Sequence, residues 1–177
     1  DTQGAVAISI AFTDLTGNAG TTVTTTTNGS SVTYDRAVPT LSAVTVASNN
    51  DNTAYAKEGD IVTLSFTSSE IIRDGATVLI DGNAATVSGS NTSWTAAYTM
   101  QSGDTEGDVD FEISFMDIAG NSGNTVSSLT SGNKIVYDET TPTLPTVDIS
   151  SDNSNGATFA KVGDVITIAI TASENIQ

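Results

Sequence analysis

The chain has 177 residues, with 21 acidic residues against five basic ones, a net charge of −16, and neither cysteine nor histidine. An acidic chain of this kind repels nucleic acid and anionic lipid and attracts cations, so nucleic acid and membrane surfaces are excluded as expected partners. Without cysteine and histidine, disulfides, Ser-His-Asp catalysis and the usual zinc sites are excluded as well. No apolar run approaches the roughly 20 residues that a membrane-spanning helix needs.

The sequence repeats itself at an offset of 103 residues, which becomes 104 after one inserted residue. The matching runs are 12–20 with 115–123, 34–41 with 137–144, and 56–60 with 160–164. A period of this length corresponds to one small domain rather than to one turn of a solenoid. The chain is therefore expected to be an interior segment of a longer tandem array.

This repeat predicts three domain segments. Residues 1–35 are the last two strands of one domain, residues 36–138 are a complete domain, and residues 139–177 are the first two strands of a third. The predicted fold class is all-β, with tandem immunoglobulin-like β-sandwich domains of about seven strands arranged end to end.

Strands are predicted from two-residue alternation of apolar and polar side chains. In 109–115, for example, Phe111, Ile113 and Phe115 share one face. Turn signals rich in Gly, Asn and Asp separate the alternating runs, and no run shows a helical period. The predicted strands of the complete domain are 41–47, 60–68, 76–81, 84–88, 93–100, 107–116 and 124–137. The expected core residues are Leu64, Phe66, Trp94, Tyr98, Phe111 and Phe115.

Several runs resemble one family. Residues 57–66, Lys-Glu-Gly-Asp-Ile-Val-Thr-Leu-Ser-Phe, followed by Ser69-Glu70, resemble the second strand of bacterial Ig-like repeats in giant cell-surface adhesins, including gliding-motility adhesins of Bacteroidetes. Asp117-Ile118-Ala119-Gly120-Asn121 is similar to the Asp-x-Ala-Gly-Asn loop of that family, and residues 14–18 are a second copy. Residues 137–143 resemble its interdomain linker.

The resemblance covers the whole chain and implies a function. It implies an extracellular stalk on a bacterial surface, whose partners are neighbouring repeats of the same longer chain. It also implies calcium bound between successive domains. The resemblance does not identify what the distal tip binds, and a surface or a glycan is the candidate partner.

The residues themselves also point to a cation site. In the expected sandwich, the linker that carries Asp35, the loop after the second strand with Glu70, and the loop with Asp117 and Asn121 meet at one pole. Calcium takes six to eight oxygen ligands at about 2.3–2.6 Å, so clustered carboxylates suit it, whereas magnesium demands a stricter octahedron. These four residues are the predicted ligands of Ca²⁺.

The repeat supplies further metal candidates. Asp138 and Glu174 correspond to Asp35 and Glu70, whereas Asp14 and Asn18 correspond to Asp117 and Asn121. Additional ligands from the far pole of a preceding domain are Asp1, Gln3, Asp104 and Glu106. The alternative is that Asp14 and Asp117 only organise their turns by accepting backbone N–H groups. Both interpretations stay open at this point.

No enzymatic activity is expected, because the acidic residues recur in each repeat, as in a stalk rather than a single active site. An alternative function is an Ig-like module that itself recognises a glycan or a protein. Such a module would need an exposed aromatic platform, drawn from Tyr55, Trp94, Tyr98 and Tyr137, although Tyr55 is expected to plug its own loop. A second alternative is a fibre subunit that assembles by strand exchange between chains.

Overall fold

The computed structural model describes residues 2–176. This part of the chain is all-β and contains no helix, and therefore none that is long and apolar enough to cross a membrane. The chain divides into two compact units, Asp1–Asp138 and Glu139–Gln177. Since the first unit includes residues on both sides of position 35, the domain boundary between residues 35 and 36 stays a prediction.

Fourteen strands build the described residues. They are β1 (Gly4–Ala5), β2 (Thr33–Tyr34), β3 (Leu41–Ser48), β4 (Tyr55–Ala56), β5 (Ile61–Ser68), β6 (Thr77–Ile80), β7 (Asn83–Ala84), β8 (Thr86–Ser90), β9 (Ser93–Thr99), β10 (Gly107–Asp108), β11 (Phe111–Ser114), β12 (Val136–Tyr137), β13 (Thr146–Ser151) and β14 (Ile166–Thr171).

A four-stranded antiparallel sheet with the order β3-β5-β9-β8 forms one layer. Within β5, Val62, Leu64 and Phe66 are buried while the residues between them are more exposed, as the alternation predicts. A register shift between Ser42 and Thr45 interrupts the pairing of β3 with β5, and the left-handed Ala43 (φ 52°) lies within it. The inward face of β5 therefore anchors the core.

Two three-stranded sheets, β11-β6-β7 and β10-β12-β4, and the two-stranded sheet β1-β2 complete the first unit, and β12 pairs with β4 in parallel. One apolar core takes side chains from the two three-stranded sheets and from the four-stranded sheet, an arrangement consistent with a β-sandwich. Four of the six expected core residues are buried, and two aromatic side chains pack half-buried against them. The buried residues are Leu64, Phe66, Phe111 and Phe115, and the half-buried ones are Trp94 and Tyr98.

The prediction of a continuous strand over 124–137 is wrong. Within 124–137, β-pairing is limited to two places. They are the isolated bridge between Val126 and Ile113 and the two-residue strand β12. Gly132 has a positive φ of 83°, and Thr130 turns its N–H to the Val44 carbonyl at 2.9 Å instead of to a neighbouring ladder. The predicted strand 107–116 is likewise divided into β10 and β11, because Val109 N donates to the Ile135 carbonyl while β11 pairs with β6.

Residues 2–34 repeat the backbone hydrogen bonds of 105–137. Ile10 N donates to Val23 O at 2.9 Å, as Ile113 N donates to Val126 O at 2.9 Å. Gly4 pairs with Tyr34 as Gly107 pairs with Tyr137. The sequence repeat is thus also a repeat of local structure.

The second unit consists of the β13–β14 hairpin and its flanking loops. Ser151 pairs with Ile166 as Ser48 pairs with Val62, and Ile149 pairs with Ile168 as Val46 pairs with Leu64. In contrast to β3, strand β13 is paired without a register shift. The apolar side chains of this hairpin are exposed, whereas their counterparts in the first unit are mostly buried.

Candidate metal centre

Three carboxylates from separate parts of the first unit converge. Asp35 directly follows β2, Glu70 lies two residues after β5, and Asp117 lies in the loop after β11. One carboxylate oxygen from each lies within 4.8 Å of the other two. Asp117 is fully buried, and Asp35 and Glu70 are half-buried. Among the described residues this is the only such group of three, and we call it the acidic triad.

Asp117 is held by its own loop. Its Oδ1 accepts the backbone N–H groups of Gly120 at 2.7 Å and Asn121 at 2.8 Å, and its Oδ2 accepts Asn121 Nδ2 at 2.7 Å. Gly120 has a φ of 97°, a backbone conformation that residues with a Cβ rarely adopt. Burial opposes ionisation, but these hydrogen bonds hold the pKa of Asp117 below its usual value of 3.8. Asp117 is therefore a carboxylate fixed in position.

Glu70 is the member of the acidic triad whose ionised form is disfavoured. Burial, together with the negative charges of Asp35 and Asp117, raises the pKa of Glu70 above its usual value of 4.5. The buried hydroxyl of Ser68 donates to the Glu70 backbone carbonyl at 2.6 Å and fixes the turn that presents the side chain. The Glu70 carboxylate is thus placed in an unfavourable electrostatic environment by a well-defined backbone.

Asp35 is tied to both the linker and the loop. Its Oδ1 accepts the Ala37 N–H at 3.0 Å, and its backbone carbonyl accepts Asn121 Nδ2 at 3.4 Å. Asn121 therefore directs its amide nitrogen, not its oxygen, towards both aspartates. To bind a cation through its side-chain oxygen, Asn121 would have to turn its amide over and give up these two hydrogen bonds.

The donor set of the acidic triad fits a hard divalent cation. Two oxygens bound to one calcium at about 2.4 Å lie at most about 4.8 Å apart, and one oxygen from each of the three carboxylates lies within that limit of the other two. Asp35, Glu70 and Asp117 would hold such a cation, which would supply positive charge between them, and carbonyl or water oxygens would fill the remaining positions.

The other predicted ligands are not part of this group. Asp14 and Asn18 are exposed, and Asp14 accepts Asn18 N at 2.8 Å, Asn18 Nδ2 at 2.8 Å and Thr16 N at 2.9 Å. The hydrogen bonds from Asn18 and Thr16 lower the pKa of Asp14 well below its usual value. Asp138 is exposed, whereas Glu174 is half-buried and its Oε1 is buried without a hydrogen-bond partner.

The additional ligand candidates from the far pole of a preceding domain are not part of the acidic triad either. Asp1 lies outside the described residues, and Gln3 and Glu106 are exposed. Asp104 accepts the Tyr98 hydroxyl at 3.1 Å and Gln101 N at 2.7 Å, so its carboxylate organises a turn.

The sequence did not predict the role of Ser68 in supporting Glu70. Its signal is its place on the inward face of β5, where a polar residue follows three buried apolar ones.

The described residues contain no exposed aromatic platform built from the predicted side chains. Trp94 and Tyr98 lie on the same face of β9 as the buried Ala96, and Tyr137 is fully buried. The prediction that Tyr55 plugs its loop is wrong, since its side chain is 47% exposed. In the two-residue strand β4 the inward position belongs to Ala56, which is 1% exposed.

Comparisons of the chain with protein-family models, with curated proteins and with solved structures give no significant match in any of the three. The resemblance to bacterial Ig-like repeats therefore depends on the motifs of this sequence, and the family remains a proposal.

Proposed function

We propose that the chain is a structural segment of a large bacterial cell-surface adhesin. In this proposal Ig-like sandwich domains follow one another as an extracellular stalk that projects an adhesive tip towards a surface or glycan. A divalent cation, which we propose to be calcium, stiffens the junction where the linker enters residues 36–138. The observation that carries the proposal is the acidic triad, because one of its members belongs to the linker and two belong to the loops that the linker meets.

The mechanical effect follows from charge. Without a cation, three carboxylates within 4.8 Å repel one another, and burial together with that repulsion raises the pKa of Glu70. A bound divalent ion would offset the repulsion and connect Asp35 of the linker to the loops of Glu70 and Asp117. Because the ion binds only the ordered junction, it would stabilise that geometry by mass action. Pro39, which is buried, restricts the linker further through its fixed φ.

The repeated local structure supports a stalk over the alternatives. The segments 2–34 and 105–137 share their backbone pairing. Residues 148–151 pair with β14 in the same register in which their counterparts, residues 45–48, pair with β5. Repetition of a domain gives length, which is the property a spacer needs. A binding module is not favoured, because Trp94 and Tyr98 lie on the core-facing side of β9.

The decisive experiment uses a matched pair of loop variants of the full chain. Asp117→Asn and Asp14→Asn remove the same turn-forming carboxylate from two copies of one loop, but only Asp117 lies beside two further carboxylates. Calcium titration followed by calorimetry should show that Asp14→Asn binds as the native chain does, whereas Asp117→Asn has lost the site.

Two further results complete this test. Calcium should raise the melting temperature of the native chain relative to a chelator, and magnesium should do so less. If the native chain binds no calcium, or if Asp117→Asn and Asp14→Asn reduce binding equally, the proposed cation junction is wrong.

A further inference from the structure

A polar cavity of about 570 Å³ is lined by residues of β4, of β10 and of the loop 127–134. The side chains that bring polar or aromatic groups to it are Tyr55, Asp108, Ser127, Ser128, Asn133 and Lys134. All of the lining residues belong to 36–138, and none of them is a member of the acidic triad. The cavity is therefore separate from the candidate metal centre.

The backbone around the cavity is held by hydrogen bonds. Val136 N donates to the Ala54 carbonyl at 3.0 Å, and β12 also pairs with β10. Thr130 ties the loop to β3, because its N and its Oγ1 donate to the Val44 carbonyl at 2.9 and 3.1 Å. Since these backbone groups are already paired, recognition of a ligand falls to the side chains, and a cavity formed in advance loses little entropy on binding.

The charged groups at the cavity neutralise one another. Lys134 Nζ donates to Asp110 Oδ1 at 2.7 Å and lies 3.7 Å from Asp108 Oδ2. The ammonium thus takes the place of a cation between the two carboxylates, whereas the net charge of −16 repels anions. The same groups still offer N–H donors and carboxylate acceptors to a ligand. The cavity therefore favours an uncharged ligand that carries hydroxyl groups.

Tyr55 adds an aromatic surface to this polar lining. Its side chain is 47% exposed and belongs to the wall of the cavity. An exposed aromatic ring buries apolar area when a ligand packs on its face. A pyranose has the matching pair of surfaces, because its C–H groups form an apolar face and its hydroxyls surround that face.

The same loop in the first copy of the repeat lacks the charged side chains. Residues 24–31 correspond to 127–134, and the loop turns at a left-handed glycine in both copies, Gly29 (φ 70°) and Gly132 (φ 83°). Ala5, Ala7 and Ser31 stand at the positions of Asp108, Asp110 and Lys134. The backbone therefore forms without these ion pairs, which leaves the charged side chains available for recognition.

We propose that this cavity binds an uncharged saccharide, with a pyranose ring packed on Tyr55 and its hydroxyls paired with Asp108, Asn133 and Lys134. The inference goes beyond the proposed function, since the stalk segment itself then holds a glycan. It does not involve Trp94 or Tyr98, which lie on the core-facing side of β9. The four recognising side chains are exposed, so we expect an affinity in the millimolar range.

The test is saturation-transfer NMR of the full chain in chelator. The probes are neutral trisaccharides of glucose, mannose, galactose and N-acetylglucosamine, with trigalacturonate as the charged comparison. At least one neutral trisaccharide should receive saturation, most strongly at its ring C–H protons, and trigalacturonate should receive none. Tyr55→Leu should weaken this binding about tenfold.

A double variant tests the polar groups of the cavity. Asp108→Ala combined with Lys134→Ser installs the side chains of the first copy and should abolish binding. Both cavity variants should keep the native melting temperature and Trp94 fluorescence, because exposed ion pairs contribute little to stability. The control Lys161→Ser removes an ion-paired lysine outside the cavity and should bind as the native chain does.

Other results overturn the proposal. They are no saturation of any neutral trisaccharide, binding that either cavity variant leaves unchanged, equal binding of trigalacturonate, or loss of binding by Lys161→Ser as well. Because the measurement is made in chelator, its outcome does not depend on the proposed cation junction, whose own failure would appear only in the calcium titration.

Discussion

The close approach of a glycine to an aromatic ring beside the acidic loop gives a quantitative prediction. A Cβ added to Gly123 would collide with the ring of Phe115, and one added to Gly20 would collide with the ring of Phe12. Phe115 is 6% exposed and packed in the core, whereas Phe12 is 54% exposed and free to swing outward. The same substitution therefore has different consequences in the two copies.

Gly123→Ala should lower the free energy of unfolding by about 1–3 kcal/mol, the usual range when extra volume is forced into a packed core. For a domain of about 100 residues this lowers the melting temperature by about 4–12 °C. Gly20→Ala should be neutral or slightly stabilising, since Phe12 can move and the unfolded chain loses entropy. Phe115 lies two residues before Asp117, so Gly123→Ala should also weaken calcium binding, while Gly20→Ala should not.

Differential scanning calorimetry of both full-length variants, followed by calcium titration, tests this reasoning. A Gly123→Ala chain as stable as the native one would refute the packing argument. If that chain is destabilised but binds calcium normally, Phe115 does not position Asp117.

Three further predictions concern the acidic triad and the core. The raised pKa of Glu70 means that its protonated form favours the folded chain below pH 4.5, and this stability is lost as the pH rises through the raised value. In chelator, Glu70→Gln should therefore raise the melting temperature at neutral pH and flatten its pH dependence above pH 4.5, and a lower melting temperature would contradict this. Ser68→Ala removes the 2.6 Å hydrogen bond to the Glu70 carbonyl, and isothermal titration should show calcium affinity reduced by about 10–100-fold, as for other supporting groups of metal ligands. Leu64→Ala should lower the free energy of unfolding, measured by chemical denaturation, by about 2–5 kcal/mol. Ile61→Ala, on the outward face of β5, should lower it by at most about 1 kcal/mol.

Alternation predicted the strands well where one face of a sheet is buried. β5 and β9 have this property, and their predicted bounds agree with the structure to within one residue. The prediction over 124–137 was wrong because its alternation is weak, and because Thr130 and Gly132 turn the chain towards β3 and away from a long ladder. Such a turn depends on a carbonyl freed by the register shift at Ala43, a feature that no local pattern reveals.

The placement of the acidic triad could be predicted, but its internal hydrogen bonding could not. The expected Ig-like topology brings Asp35, Glu70 and Asp117 to one pole, and in the structure one carboxylate oxygen of each lies within 4.8 Å of the other two. The orientation of the Asn121 amide depends on the Asp35 carbonyl 86 residues away and requires the assembled loops. Whether these residues bind a cation stays a prediction, which the Asp117→Asn and Asp14→Asn pair tests.

Comparison of the two loop copies identifies the residue on which a cation would act. Asp14 and Asp117 both accept the backbone N–H and the side-chain amide of the asparagine four residues later, although no group of three acidic residues in the described part of the chain includes Asp14. The Asp14 turn therefore has these hydrogen bonds without two further carboxylates beside it, and the conformation of Asp117 alone is no argument for a cation. Glu70 differs, since burial and two neighbouring charges disfavour its ionised form. A divalent ion would reverse that penalty, so the response of Glu70→Gln to calcium and to chelator separates a metal junction from a turn that merely contains aspartate.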